Sequence, residues 1–275
     1  MLPTRFTLAL VTTTTLFIPV SSLAQASKGI DKFVGTWVED ESRRKISSAI
    51  PGLRFRKGTS GDLEELRGPE LRPVVQAVKF GTKPYAIEKS ADTIAWKQID
   101  ERHFERQLFE NGKLLTTRQI EISPDGKQLT EVTHRRLPNG KESTLTGVFR
   151  RSSGGPQSLV GTWKLESIRT SEPAEEKVEA IGSNKLQVTG RTGSKVTWDF
   201  SGKPEPVTGP AVLSGMTNTA KLINENTIEV TGSREGVVIG KSTYTLSKDG
   251  KTLTLSSTNA GSHPGEPSVI VYQKH

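Results

Sequence analysis

The sequence predicts an all-β protein made of two tandem antiparallel up-and-down β-barrels. Two observations carry this prediction. The segment Val-Gly-Thr-Trp occurs twice, beginning at Val34 and at Val160, and the chain is a succession of short Thr-, Val- and Ile-rich runs separated by tight-turn residues. The 275-residue chain contains no cysteine, so neither disulfides nor thiolate metal sites can stabilise it, and we expect its core to do so.

An internal duplication sets the domain organisation. Three further landmarks return at a constant offset of 124 residues: "KQIDE" as "KLINE", "FENGK" as "SREGV", and "SPDGKQLT" as "SKDGKTLT". This period is too long for solenoid or propeller repeats of about 20–50 residues. We therefore predict barrel 1 over residues 27–150, a linker rich in Ser, Gly and Pro over 151–158, and barrel 2 over 159–275.

The turns identify the strands between them. Asn111-Gly112, Asp125-Gly126, Asn139-Gly140 and Asp249-Gly250 favour hairpins, because Asn, Asp and Gly tolerate positive φ. Strands joined in this way form a meander, which loses its exposed edges when it closes into a barrel. The segment from Glu172 and the segment near Leu63 are compatible with either helix or strand.

The N-terminus has the pattern of a secretory signal peptide. Arg5 precedes an apolar run from Phe6 to Val20, and Ala24 and Ala26 form an A-x-A site. We expect residues 1–26 to be removed by cleavage after Ala26, which places the protein in the periplasm or outside the cell. A membrane anchor is the alternative, but the run is short for a span of about 20 residues.

The two Gly-x-Trp segments carry a family resemblance. "FVGTW" and "LVGTWKL" resemble the first strand of the calycin superfamily, which includes lipocalins, fatty-acid-binding proteins and avidins. The chain also resembles a group of exported bacterial lipocalin-like proteins. The resemblance implies that Trp37 and Trp163 plug the barrels, that Arg150 or Arg151 covers Trp37, and that Lys274 covers Trp163, as cations stacked on indole rings.

Departures from the resemblance limit what it implies. Fatty-acid-binding proteins hold a carboxylate with Arg-x-Tyr near the C-terminus, but Tyr272 follows Ile270 in that position here. We therefore expect no carboxylate clamp of that kind.

Motifs for catalysis and for cofactors do not emerge from the sequence. "GVVIGKS" from Gly236 is one residue short of a phosphate loop and falls where a strand is expected. The histidines, His103, His134, His263 and His275, lack metal-ligand spacing. We predict a non-enzymatic protein with no catalytic residue, no metal and no cofactor.

The charge is unevenly distributed. Residues 27–155 contain 24 Lys and Arg against 18 Asp and Glu, whereas residues 156–275 contain 13 against 12. Basic stripes can bind nucleic acid, but an exported barrel seldom meets it, so we expect a solvated face attracted to an anionic envelope surface.

The duplication singles out two arginines. At the 124-residue offset Arg106 corresponds to Val230, Arg118 to Ser242 and Glu131 to Leu255. We hypothesise that Arg106 and Arg118 both point into barrel 1, where Glu131 or an anionic ligand would pair with them. A two-residue turn at Asn111-Gly112 pairs position 106 with 117, so this arrangement requires a β-bulge.

The function that follows is binding of a small hydrophobic or amphiphilic molecule in the cell envelope, since small barrels hold one such ligand. The predicted ligand-binding residues are Arg106, Arg118, Trp96, Trp198 and Tyr244. The alternatives are an interaction module with packed barrels and a barrel-type protease inhibitor. A cavity lined by these residues favours ligand binding, and a solid interior favours the interaction module.

Overall fold

The computed structural model confirms an all-β protein with two barrel-like units. It describes residues 29–46, 52–68, 73–81, 83–87, 92–156, 158–210, 212–260 and 267–275. The predicted signal peptide, residues 1–26, lies outside the described residues. Within the described residues, helix is limited to the α-helical residues 29–30 and to the 3-10 turns Asp31–Phe33 and Glu41–Arg43. The ambiguous segments near Leu63 and after Glu172 both form strands.

The first unit, sheet I, is an antiparallel sheet of ten strands. Its order is β4-β3-β2-β11-β10-β9-β8-β7-β6-β5. The strands are β2 (Leu53–Lys57), β3 (Leu63–Arg67), β4 (Val74–Val78), β5 (Tyr85–Ala86), β6 (Thr93–Gln98), β7 (His103–Glu110), β8 (Lys113–Ile122), β9 (Gln128–Arg136), β10 (Glu142–Ser153) and β11 (Gly161–Thr170). Between its two ends a single bridge joins Phe80 to Trp96, so the sheet forms a half-barrel.

The second unit, sheet II, also has ten antiparallel strands, in the order β14-β13-β12-β1-β20-β19-β18-β17-β16-β15. The strands are β1 (Gly35–Glu39), β12 (Glu175–Gly182), β13 (Lys185–Gly190), β14 (Lys195–Asp199), β15 (Glu205–Pro206), β16 (Met216–Asn224), β17 (Thr227–Arg234), β18 (Val237–Leu246), β19 (Thr252–Asn259) and β20 (Ser268–Lys274). Lys195 and Thr208 exchange both backbone hydrogen bonds, at 2.8 and 3.0 Å, which nearly closes this barrel.

The two units exchange their first strands, so the sheets do not follow the predicted halves 27–150 and 159–275. Strand β1 lies between β12 and β20 of sheet II, although it comes from the first half. Strand β11 lies between β10 and β2 of sheet I. The predicted linker at 151–158 therefore joins β10 and β11 of one sheet.

The physical basis of the exchange is the near-identity of the two first strands. Because both begin Gly-Thr-Trp, each fits either sheet, and the connections decide which one it enters. Pro173 lies between β11 and β12 and biases the preceding residue to an extended backbone, which opposes a hairpin there. Arg44, between β1 and β2, donates to the Ile168 carbonyl at 3.1 Å and pairs with Glu39. These contacts hold the connection between β1 and β2 against β11.

The duplicated turns have the same geometry in both units. Asn111 and Glu235, 124 residues apart, have φ angles of 49° and 50°, and each precedes a glycine of positive φ. Ser123 and Ser247 donate to Asp125 and Asp249 at 2.7 and 2.6 Å. These hydroxyl bonds lower the pKa of both carboxyls. The offset read from the sequence is therefore a true structural equivalence.

Candidate functional site

Each unit contains a tryptophan whose indole ring is covered by a cation. The guanidinium carbon of Arg151 lies 3.9 Å from the ring centroid of Trp163, and Nζ of Lys274 lies 5.2 Å from that of Trp37. The expectation that an arginine covers Trp37 and that Lys274 covers Trp163 is wrong, because strand exchange places each tryptophan beside the last strand of the other half.

The glycine two residues before each tryptophan makes room for the cation. Gly35 has a φ of 146°, and a Cβ there would lie 2.7 Å from Cε of Lys274. Both indole N–H groups donate to the carbonyl four residues earlier, Trp37 to Phe33 at 2.8 Å and Trp163 to Leu159 at 3.0 Å. These four residues therefore form two cation–indole pairs, with the partners interchanged relative to the prediction. Their role in plugging a barrel stays a prediction.

Arg106 and Arg118 both occupy the inner face of sheet I. They are direct partners across β7 and β8, because Leu108 pairs with Thr116 and Phe109 pairs with Leu114. Leu115 is therefore the extra residue of a β-bulge, which is the irregularity that the hypothesis required. Arg106 is 3% exposed, and the Arg118 side chain is 21% exposed.

Two glutamates neutralise these arginines. Arg118 Nη1 lies 3.1 Å from Glu131 Oε2 and 3.5 Å from Glu65 Oε1, and Arg106 Nε lies 3.7 Å from Glu65 Oε2. Burial lowers the pKa of Arg106 to about 9, so the guanidinium stays protonated at neutral pH. Burial alone would raise the pKa of Glu65, but Arg106, Arg118 and Arg67 lower it overall.

The equivalent positions of sheet II are uncharged. Register places Val188 at the position of Glu65, Val230 at that of Arg106, and Leu255 at that of Glu131. The position of Arg118 is taken by Ser242, whose hydroxyl lies 2.9 Å from that of Ser257. This cluster of two arginines and two glutamates is thus a property of sheet I.

Trp96 belongs to the packed interior of sheet I. Its side chain is fully buried and meets Phe55 and Phe80 edge to face, with ring centroids 6.0 and 6.5 Å apart. Its indole N–H is buried without a hydrogen-bond partner. Phe104 packs on Phe80 at 5.9 Å, so aromatic rings fill this part of the half-barrel.

A cavity of about 660 Å³ lies where the two sheets meet. Sheet II supplies apolar and aromatic residues to its wall, among them Trp198, Val230, Ile239 and Tyr244, together with polar residues such as Asn218 and Lys241. The other side consists of residues 52–53, 65–68 and 118 of sheet I. Its size is in the range of about 300–1,000 Å³ that is typical of small-molecule sites.

Three of the five predicted ligand-binding residues line this cavity: Arg118, Trp198 and Tyr244. Trp198 and Tyr244 contact each other with ring centroids 4.6 Å apart. Arg106 and Trp96 are not among the lining residues.

Sequence reasoning missed other polar residues of the same wall, among them Glu65, Arg67 and Asn218. The signal for Glu65 was present, since alternation along β3 places it on the face opposite its neighbours Glu64 and Leu66. This signal could be used only after the segment was known to be a strand.

A second buried polar cluster lies inside sheet II. Tyr272 donates to Glu176 Oε1 at 3.1 Å, while Oε2 of Glu176 is buried without a hydrogen-bond partner. Burial raises the pKa of Glu176 to about 7, and Glu39 adds to this shift. In sheet I, Leu53 occupies the position of Glu176, Leu165 that of Glu39, and Phe149 that of Tyr272. Each barrel therefore has polar groups where the other has apolar ones.

Comparison with protein-family models, with curated proteins and with solved structures gives no match for this chain. Within the described ranges, no cluster of His, Asp and Glu side chains has an arrangement that could hold a metal ion. In the same part of the chain, no helix is long and apolar enough to cross a membrane. The function proposed below therefore rests on the geometry of the site.

Proposed function

We propose that this protein binds a small amphiphilic molecule, without catalysis, in the cavity between its two lipocalin-like barrels. The observation that carries the proposal is the composition of the cavity wall. The sheet II side contains the apolar surface of the wall, from Trp198, Tyr244 and Val230, and the sheet I side is charged, from Glu65, Arg67 and Arg118. An amphiphile would place its apolar body on the first side and its polar group on the second.

The lipocalin-like part of the proposal is supported by the meander order and by the Gly-x-Trp strand with its cation. Burial of an apolar ligand against the sheet II wall would contribute roughly 25 cal/mol per Å² of apolar surface removed from water. This gain in free energy would have to exceed the cost of the translational and rotational entropy that the ligand loses on binding.

Native mass spectrometry of the protein incubated with a lipid extract of its host tests the proposal. We expect the wild type to gain the mass of one bound molecule. Val230→Phe should reduce this occupancy at least about tenfold, because the larger ring enters the cavity. Val238→Phe is the matched control, since Val238 is exposed on a hairpin and lies outside the cavity wall. A wild-type spectrum without added mass would contradict the proposal.

We also propose that the chain is exported, with cleavage after Ala26, and that its basic first half faces an anionic envelope surface. The support is the N-terminal pattern and the excess of Lys and Arg over residues 27–155. The intact mass of the exported protein should correspond to a chain beginning at Ser27. Salt-sensitive sedimentation with anionic vesicles, and none with neutral ones, would support the envelope contact.

A second function, as a protein-interaction module, is favoured by the filled interior of sheet I. Trp96, Phe55 and Phe104 leave the half-barrel packed by its own side chains. In that case Val230→Phe would leave the binding of envelope proteins unchanged, and no small molecule would co-purify with the wild type.

A further inference from the structure

The polar groups of the cavity wall that lack hydrogen-bond partners are both acceptors. Asn218 is 3% exposed, and its Oδ1 is buried without a partner while its amide nitrogen donates to the Glu205 carbonyl at 3.3 Å. Glu65 is also 3% exposed, and its Oε2 has no hydrogen-bond donor, since Arg106 Nε is 3.7 Å away. Both residues line the cavity.

A buried acceptor without a donor is unfavourable, because it has lost its bond to water and gained none in return. Asn218 belongs to β16 of sheet II, and Glu65 belongs to β3 of sheet I. Two such acceptors on the wall of one cavity therefore indicate a bound molecule that supplies donors.

The charges around the cavity select among possible donors. An ammonium group would meet the cations of Arg67, Arg118 and Lys241, which line the same cavity. Lys241 is already paired with Glu229, at 3.4 Å. A carboxylate supplies no donor, and Arg118 is already paired with Glu65 and Glu131. A hydroxyl group supplies a donor without adding charge, so it suits this wall better than either ion.

We propose that the ligand of this cavity is an uncharged, hydroxyl-bearing amphiphile whose hydroxyl groups donate to Asn218 and Glu65. This inference rests on the proposed function, since it names the chemical class of the molecule bound there. The hydroxyl is the specificity element, and the apolar body of the ligand contacts Trp198 and Tyr244.

Four probes of similar chain length test the inference on the mature protein: 1-decanol, decyl methyl ether, decanoate and decylammonium. Their affinities are measured at neutral pH by titration calorimetry. We expect decanol to bind about tenfold more tightly than the ether, which has the same apolar body but no donor, and more tightly than either ion.

Asn218→Leu should remove most of the preference for decanol over the ether while leaving the affinity for the ether nearly unchanged. Thr219→Val is the matched control on the same strand, because Thr219 does not line the cavity. Near-ultraviolet circular dichroism checks that each variant is folded. If Asn218→Leu does not fold, Asn218→Ala provides the same comparison, because it also removes the acceptor Oδ1.

The outcomes separate the two proposals. Equal affinity for decanol and its ether, or tightest binding of decanoate or decylammonium, overturns the hydroxyl inference and leaves the proposed function standing. Failure of all four probes to bind contradicts the proposed function itself.

Discussion

Lys274 covers the indole ring of Trp37 at 5.2 Å, although the two residues lie near opposite ends of the chain. This contact joins the first described strand to the last one, and it exists because β1 pairs with β20 and not with a strand of its own half. The same exchange places Arg151 over Trp163. The two halves are thus interdependent, since each barrel is completed by a strand from the other.

Engineered disulfides distinguish the exchanged topology from an unexchanged one. Thr36 is the direct partner of Lys177, and Thr162 is the direct partner of Arg54. We expect the pairs T36C/K177C and T162C/R54C to form intramolecular disulfides, because directly opposed residues have Cα atoms about 4.5–5.5 Å apart. The chain has no native cysteine, so mass spectrometry of proteolytic fragments from the monomer identifies the bonds.

The pair T36C/R54C is the control for that experiment. Thr36 and Arg54 would be partners only if β1 paired with β2 of its own half, so this pair should remain reduced. A high yield of the T36C/R54C disulfide in the monomer would contradict the exchange.

The two cation–indole pairs should differ in energy. Arg151 donates to the carbonyls of Gly126, Ser158 and Val160, at 2.5, 2.8 and 3.1 Å, whereas Lys274 donates only to Lys32 O, at 3.3 Å, among the described hydrogen bonds. We expect Arg151→Ala to lower the free energy of unfolding by about 3 kcal/mol and Lys274→Ala by about 1 kcal/mol.

Urea denaturation measures both values, and Arg151→Lys is the conservative control. The lysine keeps the cation over Trp163 but loses the hydrogen bonds to the three carbonyls. Its free energy of unfolding should therefore lie between those of the wild type and Arg151→Ala. Equal losses for the two alanine variants would show that the carbonyl contacts of Arg151 add nothing.

The sequence was sufficient to predict the features that both copies share. The 124-residue offset relates the bulged residues Leu115 and Ile239 as well as the turn residues Asn111 and Glu235. These features are local, because a tight turn fixes the register of the two strands that it joins. The inward positions of Arg106 and Arg118 followed from that register together with a bulge.

The exchange and half of the cavity wall were not predictable in the same way. Since β1 and β11 share the Gly-Thr-Trp segment, either one satisfies the hydrogen bonds of either sheet, and local pattern cannot choose between them. The cavity depends on contacts between the sheets, such as the close approach of Leu213 to Gly68, where a Cβ would lie 2.4 Å from Leu213 Cδ1. Asn218 and Glu65 are brought together only by such contacts.

The charged interior of sheet I can be replaced by its apolar counterpart from sheet II. Glu65→Val alone should cost about 3–5 kcal/mol of stability, because it leaves Arg106 without its nearest carboxylate. The combined variant Glu65→Val, Arg106→Val, Arg118→Ser and Glu131→Leu should recover most of this loss, since of the charges around Glu65 only Arg67 then remains without its carboxylate.

Urea denaturation of the single and combined variants checks this expectation. Val188→Ala in sheet II is the control, because it removes apolar volume at the position equivalent to Glu65 without removing a charge. If the combined variant loses at least as much stability as Glu65→Val, the ion pairs themselves stabilise the fold.

Glu176 should make stability depend on pH. Burial raises the pKa of this carboxyl from its ordinary value of 4.5 to about 7 in the folded protein, while the hydrogen bond from Tyr272 opposes the shift and the charge of Glu39 adds to it. Between these two values the folded state binds more protons than the unfolded state. The contribution of Glu176 to the free energy of unfolding is therefore most favourable below about pH 4.5. Up to about 3 kcal/mol of that free energy is lost as the pH rises through about 7.

Glu176→Gln removes this titration and keeps the shape of the side chain. We expect the variant to be more stable than the wild type at about pH 8 and to differ less from it at about pH 5, as measured by urea denaturation midpoints. Glu175→Gln is the matched control, because Glu175 is the exposed neighbour on the same strand, and its curve should parallel that of the wild type. Parallel curves for Glu176→Gln would mean that Glu176 is ionised in the folded barrel at both pH values.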